Sequence, residues 1–151
     1  MKIALCFFGF FGKENIKNKI KDLCEYKLED YNEMWSIEYF KKNIICDKNV
    51  DIFFHCWNQE SEIQELLLKE FKPKNYKFQK QDKNYDKKVH IFKRYYSEFN
   101  SVKLMKNYAL KNNIEYDFVF LSVFDQIFFT KINFNELNNK YIYTSNWNTD
   151  N

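Results

Sequence analysis

Three largely apolar runs, at residues 3–8, 50–57 (apart from Asp51 at its start and His55 inside) and 116–123, constrain this chain more than any other feature. A strand with one wet face alternates apolar and polar side chains. A run that stays apolar at nearly every position belongs to a strand covered on both faces, as in a parallel sheet flanked by helices. The segments between the runs change period. Residues 13–45 repeat at helical spacing, with Tyr31, Met34, Trp35 and Tyr39 on one face and Ile37 and Phe40 off it. Residues 60–71 place Ile63, Leu66, Leu67 and Phe71 on one stripe, and Pro73 stands just beyond its end. A third helical stretch, 89–111, carries Ile91, Tyr95, Phe99, Val102, Met105 and Ala109. Shorter strands are expected at 76–78 and 140–144, a helical turn at 134–137, and a solvated polar loop at 79–88. Such alternation predicts an α/β fold: a mostly parallel, doubly wound sheet with helices on both faces. At 151 residues the whole chain, 1–151, fits one domain.

Composition narrows the function classes. The apolar content is dominated by 17 Phe and 11 Tyr, so the core should be bulky. Net charge is only +3, and Arg94 is the single arginine. A nucleic-acid groove normally uses arginine for bidentate contacts, so no nucleic-acid partner is expected. The four cysteines, Cys6, Cys24, Cys46 and Cys56, form no C-x-x-C pair and no close His/Cys cluster, which argues against zinc. Cys6 and Cys56 sit inside apolar runs and read as buried, reduced thiols suited to the cytoplasm. The first apolar run is short for a signal peptide, and no stretch is long enough for a transmembrane segment.

Ligands on doubly wound sheets gather at the carboxyl ends of the strands. Three places qualify: 9–12, 55–58 and 122–126. Gly9 and Gly12 are the only glycines, and both occupy the first strand-to-helix turn, where glycine allows a tight bend or close ligand approach. Their spacing fits neither a dinucleotide fingerprint nor a P-loop. Asp125 emerges after the third run; it can hold a divalent cation or simply cap a turn. His55 reads either as a ligand contact or as a satisfied core histidine. Arg94, Ser97 and Ser101 share one helical face, which can pair with phosphate while a tyrosine stacks on a base, or can simply pack.

Taken in series, four segments resemble bacterial polysaccharide-biosynthesis glycosyltransferases with a GT-A-like, Rossmann-like fold. They are Met1-Lys2-Ile3-Ala4-Leu5-Cys6-Phe7-Phe8-Gly9, Asp51-Ile52-Phe53-Phe54-His55-Cys56-Trp57-Asn58, the helix from Tyr95-Tyr96-Ser97 to Tyr108, and Tyr116-Asp117-Phe118-Val119-Phe120 with Phe124-Asp125. The second resembles the family's D-hydrophobic-F-hydrophobic-H-T-W strand and the third its Y-S helix. The resemblance implies a metal-dependent transferase that takes a nucleotide-sugar donor and passes the sugar to a glycan acceptor, for capsule or another surface polysaccharide. Phe8, Gly9, His55, Trp57, Arg94 and Ser97 would contact the donor, and Asp125 would sit by a Mn²⁺ or Mg²⁺ ion and the diphosphate. Where the family often has R-x-R-F-D, this chain has Leu121 and Val123, which removes cationic help there. Family members continue into an acceptor-binding half. The chain is therefore expected to be the nucleotide-binding half, C-terminally short, working in the cytoplasm or at the inner face of the membrane, with a second chain or a dimer covering the missing part. The alternative expectation is a non-catalytic or truncated nucleotide-sugar-binding module.

Overall fold

The computed structural model of the chain describes residues 1–12, 34–46, 49–81 and 90–143. In chain order the elements are β1 (Ile3–Gly9), α1 (Met34–Asn43), β2 (Val50–Cys56), α2 (Ser61–Phe71), β3 (Asn75–Phe78), α3 (His90–Asn112) and β4 (Phe118–Val123). A 3₁₀ turn, Phe134–Glu136, follows. The part of the first helical expectation at 13–33, and most of the polar loop, lie outside the described residues.

The four strands form one sheet in the order β3-β2-β1-β4, and every pairing is parallel. The chain steps outward from β1 to β3 and then crosses back to lay β4 on the other side of β1. Right-handed crossovers taken in opposite directions put their helices on opposite faces. The two cores follow that rule. Ile3, Leu5 and Phe7 of β1 meet Ile37 and Phe40 of α1 and Leu67 and Phe71 of α2. On the other face Ala4, Cys6 and Phe53 meet Met105, with Val102, Tyr108 and Ala109 of α3 packed alongside. The fold is thus α/β, with an all-parallel, Rossmann-like sheet covered on both faces. Among the described residues, no helix is long and apolar enough to cross a membrane.

The phenylalanine-rich composition is spent mainly on the first of these cores. The Phe7 ring lies 4.7 Å from Phe40, 4.8 Å from Phe71 and 5.1 Å from Phe124, centroid to centroid. The last of these pairs is stacked and the first is edge-on, two arrangements that suit the ring quadrupole. Cys6 and Cys56 are buried, and burial pushes both thiols up to about 12, so they remain protonated.

Several sequence expectations are corrected by the packing. In α1 the buried residues are Ser36, Ile37, Phe40 and Asn43, whereas Trp35 is exposed. The helix presents the pair that fell off the periodic stripe, because Phe40 fits against Phe7. In α3, Tyr95 and Phe99 point outward, and the buried seam consists of Ser97, Ser101 and Met105. Small residues there let the helix lie close on Ala4 and Cys6. β4 is an edge strand, with Val119 and Leu121 exposed on the α3 side, since α3 packs over β1, β2 and β3. At 140–143 no strand forms, and Ile142 is almost fully exposed.

At the end of the sheet opposite the strand carboxyl ends, the strand N-termini are tied by charge. The Asp51 carboxylate accepts a 2.8 Å hydrogen bond from the Tyr116 hydroxyl and lies 3.4 Å from the Lys2 ammonium. This cluster accounts for a buried aspartate in the second position of an otherwise largely apolar strand.

Candidate functional site

A parallel sheet delivers all its strand ends to one edge, so the three places singled out by sequence fall on the same rim. Gly9 ends β1, His55 is the next-to-last residue of β2, and Asp125 lies two residues beyond β4. The order reverses between β1 and β4, and a crevice opens at such a reversal because the connections leave toward opposite faces.

The turn after β1 is built on its glycines. Gly9 has φ of 100° and Gly12 has φ of 114°, conformations that side chains of L-residues resist. Asn58 holds this turn like a backbone strand would. Its amide oxygen accepts the Phe11 N–H at 2.8 Å, and its amide nitrogen donates to the Phe11 carbonyl at 3.0 Å. The Trp57 N–H also donates to the Gly9 carbonyl at 3.0 Å. The β1 and β2 ends are therefore one rigid ledge.

Ser97 is the hub between that ledge and α3. Its fully buried Oγ accepts the Gly9 N–H at 2.9 Å and donates to the His55 carbonyl at 3.1 Å. The same Oγ lies 2.8 Å from His55 Nδ1, so one serine bridges the turn after β1, the β2 backbone and the imidazole. The other ring nitrogen, Nε2, lies 3.3 Å from the Gln79 amide oxygen, and the Gln79 amide nitrogen donates to the Tyr96 hydroxyl at 3.4 Å. His55 is fully buried, and desolvation lowers its pKa from the ordinary 6.5, the Gln79 contact opposing and Lys77 adding to the shift. It is a neutral structural histidine at neutral pH.

Phe8, Gly9, His55, Trp57, Arg94 and Ser97 are thereby brought into one cluster. The Arg94 guanidinium sits 5.9 Å from the centre of the Phe8 ring, close enough for a cation–π contact, and the arginine is itself exposed. The Trp57 ring stands edge-on to His55 at 4.6 Å and stacks on Tyr96 at 5.7 Å. Asp125 shares the rim but not this cluster. It is half-buried in the turn after β4, and no hydrogen bond or ion pair reaches it among the described residues. Beside it, Gln126 accepts from the Ser122 hydroxyl at 3.0 Å. No three His, Cys, Asp or Glu side chains among the described residues gather to hold a metal. Asp125 fits a Mg²⁺-type site only as one carboxylate whose ion is otherwise coordinated by phosphate oxygens and water.

Sequence reasoning missed a pocket next to this cluster. A cavity of about 490 Å³ lies between the ends of β2 and β3 and the first turns of α3. Trp57, Phe92, Tyr95, Tyr96 and Phe99 supply its aromatic walls; Gln79, Gln81 and Lys93 supply polar groups. The signal was present: Phe92, Tyr95, Tyr96 and Phe99 recur at helical spacing and define a second apolar face of α3, opposite the serines.

The described geometry defines a class, an α/β domain with a parallel sheet whose strand ends hold an aromatic, weakly cationic rim. Comparison with protein families, with curated proteins and with solved structures gives no match.

Proposed function

We propose that this chain is the donor-binding part of a glycosyltransferase, holding a nucleotide-sugar at the strand-end rim for transfer to a polysaccharide acceptor. The observation that carries this reading is the convergence of Phe8, Gly9, His55, Trp57, Arg94 and Ser97 on one edge of a parallel sheet, beside the reversal in strand order. The GT-A-like resemblance of the sequence supplies the choice among ligands that such a rim can take. The ledge contributes rigidity, Arg94 contributes positive charge for phosphate, and Asp125 is the carboxylate through which a Mn²⁺ or Mg²⁺ ion would be held. That ion, when bound, neutralises charge on the departing diphosphate. In the reaction an acceptor hydroxyl oxygen bonds to the anomeric carbon. The bond from that carbon to the phosphate oxygen breaks, the nucleoside diphosphate leaves with the electron pair, and the hydroxyl proton passes to a base or to water.

A thermal-denaturation screen of the chain against uridine, guanosine and cytidine nucleotide-sugars, each with Mn²⁺ or Mg²⁺, tests this. Ligand at a hundred times its Kd adds about 2.7 kcal/mol of stability. For a domain of this size that is a rise in Tm of roughly 5–10 °C. A flat response to every nucleotide would sink the reading.

One observation favours a second reading, binding without transfer. His55, the histidine at the rim, is consumed by structural hydrogen bonds and has no hydrogen-bonding capacity left for an acceptor hydroxyl. Release of nucleoside diphosphate in the presence of acceptor glycan separates the two, since the binding module releases none.

A further inference from the structure

The aromatic pocket between β2, β3 and α3 lies to one side of the β1–β4 crevice, and its position along the rim gives it a part in the same site. Strands in a sheet stand about 4.8 Å apart, so the edge from β4 back to β2 and β3 spans about 10–14 Å. That is the reach of an extended nucleoside diphosphate from base to terminal phosphate. The chemistry along the edge changes in the matching order. At β2 and β3 the walls are flat aromatic rings with amides between them. Over β1 stands the Arg94 guanidinium. Past β4 comes the Asp125 carboxylate.

Resting on the donor-binding reading above, we infer that this pocket takes the nucleobase of the donor, with Phe92 and Tyr96 as stacking surfaces and Gln81 reading the base edge. Three features of the pocket fit that occupant. Its volume of about 490 Å³ is within the range of small-molecule sites. Phe92 is 69% exposed, an unusual state for phenylalanine that a stacked ring would relieve. Gln79 is already engaged by His55 and Tyr96, so the amide presented to a ligand belongs to Gln81. Lys93 lines the pocket and Arg94, one residue on, turns to β1, so cationic charge runs from the base pocket to the phosphate side. A lipid surface fits less well, because the site is concave and contains two amides.

The test is calorimetric titration of the full chain with UDP, GDP, CDP, ADP and inorganic pyrophosphate, all with Mg²⁺, in the wild type and in Phe92→Ala and Gln81→Ala. Both side chains lie outside the core, so unchanged Tm values serve as the folding control. The wild type should bind at least one nucleoside diphosphate ten times or more tightly than pyrophosphate. Phe92→Ala should weaken that nucleotide about tenfold, the loss of one base–aromatic stack, and leave pyrophosphate unaffected. Gln81→Ala should narrow the preference among bases. Nucleotides that bind no better than pyrophosphate, or that bind both variants as they bind the wild type, would place the base elsewhere and overturn this inference while leaving the donor reading intact. Failure of every nucleotide and of pyrophosphate to bind would remove the donor reading and this inference together.

Discussion

Replacing Ser97 by alanine removes one oxygen and little volume, yet it strips the partner from three groups at once. The Gly9 N–H loses its acceptor, the His55 carbonyl loses a donor, and His55 Nδ1 loses its hydrogen-bond partner. A buried polar group left without a partner costs about 1–3 kcal/mol. Gly9 is only part-buried, so the sum should be about 2–4 kcal/mol rather than three full penalties. At roughly 2–4 °C per kcal/mol for a domain of this size, Tm should fall by about 4–15 °C. Differential scanning calorimetry of Ser97→Ala measures this directly. A double-mutant cycle with His55→Phe adds a sharper test, because the two residues share a bond and their effects should not add. A Ser97→Ala protein within 0.5 kcal/mol of the wild type would refute the hub. So would simple additivity in the cycle.

Two further outcomes follow from the same ledge. Burial depresses the His55 pKa below its ordinary 6.5, so below that pH the unfolded chain takes up a proton that the folded chain resists. Stability contributed by neutral His55 is therefore complete above about pH 6.5 and is lost as pH falls toward the depressed value; His55→Gln should show a shallower loss over that window in urea titrations at stepped pH. Asn58→Ala should cost about 2–4 kcal/mol by orphaning both the N–H and the carbonyl of Phe11, read as a lower urea midpoint with an unchanged slope.

The fold was legible where burial demands are extreme. β1, apolar throughout, and β2, apolar but for Asp51 and His55, are indeed covered on both faces, and the same logic marked β4 as a strand. It went too far for β4, because an edge strand can carry Val119 and Leu121 into solvent and no local pattern announces which strand will be last. The helices were legible as helices but not by face. In α1 two apolar stripes competed, and the choice was made by Phe7 and Phe124 across the core. In α3 the eye follows Tyr95 and Phe99, yet two serines are the contact side, because close approach to Ala4 and Cys6 rewards small size over hydrophobicity. The candidate site was partly legible for the same reason: glycines at a strand end and a lone polar residue in an apolar strand are local signals. Gln79, Gln81 and Asn58 carry no such mark. Their roles come from distant chain segments meeting at the rim.

The serine seam has a corollary for how this domain can diversify. By resting on hydroxyls and small side chains, the first half of the long helix leaves Phe92, Tyr95 and Phe99 with no duty in the interior. Exposed positions usually tolerate replacement within about half a kcal/mol. Phe92, Tyr95 and Phe99 are thus a wall that descendants of this chain can repaper, exchanging one guest for another, while the foundation behind it stays put.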